Sequence, residues 1–66
     1  MRYKLVLNGN VIRVYTNGNL ANIGFNADHL NDIRDFIIGG GLSPTDADVK
    51  IAELFSKGQT EFQDLK

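Results

Sequence analysis

His29 is the chain's only histidine, and it stands between Asp28 and Asp32 at the start of the stretch DHLNDIRDFII, Asp28 to Ile38. Imidazole moves protons near neutrality, but catalysis by it needs a nucleophile or carboxylate held within hydrogen-bond reach. Spacing alone supplies no such set. Ser43 and Ser56 are the only serines, and each has a local explanation, as a helix cap and as a residue near a helix end. No nucleophile elbow, P-loop or zinc-protease helix is present. No catalytic residue is assigned, and a non-enzymatic protein is expected.

Asp28, Asp32 and Asp35 recur at spacings of four and three, which makes an acidic stripe on one side of a helix. Such a stripe could bind a divalent cation or imitate phosphates. Calcium sites, however, take their ligands from loops that wrap the ion, and a phosphate mimic needs far more net negative charge. A solvated helix face is expected. With no cysteine and a single histidine, thiolate and His-rich metal sites are excluded within one chain, and no metal or cofactor is assigned. Gly39-Gly40-Gly41 before a helix invites a phosphate-cradle reading. The lysine of a P-loop is missing, and a helix rather than a strand precedes the glycines, so they read as a corner.

Arg34 falls inside the apolar arc of that same helix, about 40° from both Leu30 and Ile38 on the wheel. Either its methylene stem covers the core edge while the guanidinium reaches water or a carboxylate, or it is a fixed charge in a subunit interface or ligand pocket. Lys4, Arg13 and Tyr15 form a second set. On one sheet face they could stack bases and contact phosphates.

The elements that must position these residues follow from periodicity. Tyr3–Leu7 alternates as a strand does, Asn8-Gly9-Asn10 is a turn, Val11–Thr16 is a second strand, Asn17-Gly18-Asn19 repeats the turn, and Leu20–Phe25 is a third. Asn-Gly favours two-residue hairpins because their backbone needs positive φ. Tyr15 then faces Leu20, Val14 faces Ala21 and Ile12 faces Ile23. With Asn8-Gly9 as the first loop, Leu5 faces Ile12 and Tyr3 faces Val14. Moving that loop to Gly9-Asn10 leaves the faces unchanged. One face gathers Tyr3, Leu5, Leu7, Ile12, Val14, Ala21, Ile23 and Phe25 as core.

A first helix is expected after Phe25, capped by Asn26 or Asp28, with Leu30, Ile33 and Ile37 inward and Ala27, Phe36 and Ile38 widening the arc. That arc is too wide for one sheet, so a second helix or another chain should cover part of it. Ser43-Pro44-Thr45-Asp46 starts a second helix with a cap, a proline at its first position and a carboxylate three residues on. It should run to about Lys57 with Ala47, Ile51, Leu54 and Phe55 inward and Gly58 as cap. Thr60–Lys66 is a short strand or an arm. The expected fold class is α+β: a three-stranded antiparallel β-meander packed against two helices, with a candidate short C-terminal strand, in one domain, 1–66.

Seven basic and eight acidic side chains give a formal charge of −1, which argues against nonspecific nucleic-acid binding. No apolar run reaches membrane-span length and no signal peptide is evident, so a cytoplasmic protein is expected. Small domains without disulfides often stabilise themselves by association. The outer sheet face should show Lys4, Val6, Val11, Arg13, Tyr15, Leu20 and Asn22, with Val6 opposite Val11. That is an apolar strip where a solvated face would be polar. The expected function is a protein-interaction module, a homodimer through Val6, Val11, Arg13, Tyr15 and Leu20 or through Arg34, Phe36 and Ile38. Size and the absence of motifs suit an accessory or inhibitor protein of a phage or mobile element that binds a host protein. The alternatives are a nucleic-acid binder using Lys4, Arg13 and Tyr15, or a small-molecule-binding oligomer with its site at Arg34.

Overall fold

Three antiparallel strands, two helices and a returning fourth strand make up the computed structural model, which describes residues 1–65. The elements are β1 (Arg2–Asn8), β2 (Val11–Thr16), β3 (Asn19–Asn26), α1 (Leu30–Gly39), α2 (Pro44–Lys57) and β4 (Gln59–Gln63). They form an α+β fold in which the sheet order is β3-β2-β1-β4 with every pairing antiparallel. The expected C-terminal strand is therefore present; Lys66, the end of that expected segment, lies outside the described residues.

Loop chemistry fixes the hairpins. Asn17 and Gly18 both have positive φ, 52° and 87°, the requirement of a type I′ turn. The first loop is Gly9-Asn10, closed by Asn8 opposite Val11. Leu5 therefore faces Val14 and Leu7 faces Ile12, two residues from the Asn8-Gly9 alignment, and the faces are conserved because the side-chain period is two.

The third strand departs from the expected register. Tyr15 faces Leu20 as expected, but Arg13 faces Gly24 and Ile12 faces Phe25. Ala21, Asn22 and Ile23 thus stand against Val14 alone, a bulge of two extra residues. Ile23, expected in the core opposite Ile12, is pushed out and is 50% exposed, and Phe25 takes its place beside Ile12. Gly24 allows the close approach, since a Cβ there would come within 3.2 Å of the Ile12 carbonyl oxygen.

The core lies between the inner sheet face and the helices. Leu5, Ile12, Val14, Ile33, Ile37, Ala47 and Leu54 are fully buried, with Leu42 and Phe62 nearly so. Phe36 bridges α1 to the sheet. Its ring lies 5.3 Å from those of Tyr3 and Phe25 and 6.1 Å from that of Phe62.

Helix α2 starts as expected: Ser43 Oγ accepts from the Asp46 N–H at 3.1 Å, and Pro44 is the first helical residue. Gly58, at φ 83°, caps its end and leads directly into β4. Helix α1 differs. Neither Asn26 nor Asp28 caps it; His29 holds the cap position without a side-chain bond, because Asn26 Oδ1 already accepts from the Asp28 N–H in the turn that closes β3. Two expected inward residues are also corrected. Leu30, the first residue of α1, is 47% exposed while Ile33 and Ile37 further along carry the burial, and Phe55 is 41% exposed because it lies about 100° around the helix from Leu54.

Candidate interaction surface

Both helices cover one sheet face, so the other face is left to solvent. Its residues are set by alternation: Arg2, Lys4 and Val6 on β1, Val11, Arg13 and Tyr15 on β2, Leu20 on β3, and Gln59, Glu61 and Gln63 on β4. Lys4 lies between Tyr15 and Glu61, and Val6 between Arg13 and Gln59. Val6 does not face Val11 as expected, because the first loop is Gly9-Asn10; Val11 stands opposite Asn8 at the end of the hairpin.

Two depressions mark this face. An open groove of about 790 Å³ follows β1 over Arg2, Lys4 and Val6, with Gln59 and Glu61 on one side and Tyr15 and the Asn17-Gly18 turn on the other. A shallower one of about 330 Å³ lies over the β2–β3 pair around Val11, Arg13, Leu20 and the bulge. There Val11, Leu20 and Ile23 are 49%, 56% and 50% exposed. Lys4, Val6 and Tyr15 are half-buried, and Arg13 is exposed.

The charges of the molecule are sorted between its layers. Arg2, Lys4 and Arg13 share the outer face with one carboxylate, Glu61, and among the described residues none of these three cations has a carboxylate within 4.0 Å. Six acidic residues (Asp28, Asp32, Asp35, Asp46, Asp48 and Glu53) stand on the helices or the turn before α1. Two of the cations in that layer are paired, Arg34 with Asp48 at 2.9 Å and Lys50 with Glu53 at 3.5 Å. The sheet side is cationic and the helix side acidic.

The helix residues read as sites have structural surroundings. Arg34 spans to α2 through its ion pair with Asp48, the snorkelling reading. Phe36 and Ile38 are half-buried against the core. His29 Nδ1 lies 3.8 Å from Asp32, both side chains exposed. Among the described residues no group of three His, Cys, Asp or Glu side chains could hold a metal ion, and no helix is long and apolar enough to cross a membrane.

Sequence reasoning missed Arg2, Ile23 and the β4 row. The signal for β4 was available: Gln59, Glu61 and Gln63 alternate with the buried Thr60 and Phe62. Nothing in the sequence announced the bulge. Compared with protein-family models, curated proteins and solved structures, the chain matches none.

Proposed function

We propose that the protein is a non-enzymatic interaction module that docks on another protein through its outer sheet face. One observation carries this reading: Val11, Leu20 and Ile23 are exposed together on a face that also bears Tyr15 and three cations without a carboxylate in reach among the described residues. Clustered apolar side chains rimmed by polar ones are the usual composition of a docking patch. An accessory or inhibitor protein of a phage or mobile element, acting by occupying a host protein in the cytoplasm, would need no more than such a face.

A second copy of the chain is the competing occupant, since two-fold dimers are the commonest oligomers. A two-fold axis through the Arg2, Lys4 and Arg13 cluster would bring the cluster against its own copy, and like charges facing each other are unfavourable. Phe36 and Ile38, the alternative dimer residues, already pack on the chain's own core. Analytical ultracentrifugation at micromolar concentration separates the two. A single 7.3 kDa species, unchanged by Tyr15→Glu, fits docking on a different protein. A dimer abolished by Tyr15→Glu would make the face a self-interface.

A further inference from the structure

We infer that the partner presents an extended acidic segment whose carboxylates seat over β1 and whose apolar side chains reach the Val11–Leu20–Ile23 patch. This rests on the docking reading above and specifies the chemistry of its occupant. The floor of the larger groove is the outer row of one strand, Arg2, Lys4 and Val6. Alternate residues of a strand are about 6.6 Å apart, which is also the spacing of alternate side chains in an extended peptide. Carboxylates two residues apart in such a peptide can therefore meet Arg2 and Lys4 in succession, with an apolar residue next over Val6. Glu61 faces Lys4 from β4 but lies beyond ion-pair distance, and with three cations to one carboxylate the face keeps a positive excess. Arg13, opposite Val6 on the neighbouring strand, extends that excess toward the apolar patch.

A single-stranded nucleic acid is the other polyanion that an open sheet face can bind, and two observations disfavour it. Such binding relies on aromatic platforms for successive bases, yet Tyr3, Phe25, Phe36 and Phe62 are turned into the inner cluster, and among the described residues Tyr15 is the only ring on the outer face. The exposed aliphatic trio also offers bases no stacking surface but fits leucine-like side chains.

Amide chemical shifts of the whole ¹⁵N-labelled chain, titrated with three probes, test the inference. The probes are a twelve-residue Asp–Leu peptide of repeat Asp-Ser-Asp-Ser-Leu-Ser, which sets two carboxylates and then a leucine on one side of an extended chain, its Lys–Leu counterpart with Lys for Asp, and a dT oligomer of twelve nucleotides. The expected result is saturable shifts confined to β1, β2 and the bulge with the Asp–Leu peptide, weakened at least tenfold by Lys4→Glu with Arg13→Glu and in part by Arg13→Glu alone, whose exposed position leaves folding intact by the dispersion of the same spectra. Equal or tighter binding of the Lys–Leu peptide or of the oligonucleotide on this face would overturn the acidic-segment inference and leave the face a docking site. No shift on the outer face with any probe would overturn both.

Discussion

Ile12 and Ile23 are the same residue type on adjacent strands with opposite fates. Ile12 is fully buried and Ile23 half exposed, so equal truncations should have unequal costs. Ile12→Ala should destabilise by about 2–5 kcal/mol through lost burial and a cavity, enough to unfold much of a domain this size. Ile23→Ala should stay within about 0.5 kcal/mol, as surface substitutions do. Urea midpoints of the two variants check this, and equal losses would restore the regular register. The same pair marks where the sequence stopped being legible. Alternation assigns faces correctly as long as pairing is continuous, and Leu5, Ile12, Val14 and Phe25 all fall where it puts them. A bulge is a property of two paired strands. Alternation along one strand therefore cannot reveal it, and the exposure of Ile23 beside Val11 and Leu20, which were expected on the outer face, went unseen with it.

At the scale of elements, the legible features were those with local chemistry. Ser43-Pro44 starts α2, Gly58 ends it, and Asn17-Gly18 makes its hairpin. The start of α1 was less legible because Asn26 could cap the helix or close the preceding strand, and only the folded chain chooses. The joint between α2 and β4 has a titratable consequence. Thr60 Oγ1, on the buried side of β4, donates to Glu53 Oε1 at 3.1 Å, and Lys50 Nζ lies 3.5 Å from the same oxygen. The Thr60 hydrogen bond first, and then the Lys50 charge, hold the Glu53 carboxyl below its ordinary value of 4.5. A carboxylate with a depressed folded pKa adds stability above its unfolded pKa, and that stability is lost as pH falls through the folded one. Thr60→Val should therefore lower the melting temperature relative to wild type at neutral pH by more than it does well below pH 4.5. A difference independent of pH would mean the hydrogen bond does not favour the charged form.

The whole molecule has one core between two layers, 29 × 24 × 19 Å in extent. Phe36 carries α1 into an aromatic cluster shared with β1, β3 and β4, so neither layer keeps its packing without the other. Unfolding should be two-state. In a Tyr15→Phe variant, Tyr3 in that cluster becomes the only tyrosine. Its near-ultraviolet circular dichroism should then be lost over the same denaturant range as the backbone signal. Separate transitions would mean the sheet or the helices persist alone. The sidedness of charge belongs to this scale too. It is invisible in a net charge of −1, because the sum hides a cationic sheet and an acidic helical layer.

The bulge in β3 also has a length that matters. Two residues inserted into a strand restore the inward and outward pattern beyond them, whereas one would invert it. Excising Asn22 and Ile23 should accordingly leave a foldable chain, with Val14 opposite Ala21 and Phe25 still inward beside Ile12. What the shortened chain would lose is protection. Strand β3 is an edge of the sheet, and a straightened edge is a template on which another copy can add strand to strand. Light scattering on concentrated samples should show the excised variant aggregating where the parent stays clear. The two residues are a parity-preserving insertion: removing them leaves the core-facing pattern of the strand intact, and keeping them spoils an edge on which further copies could otherwise stack.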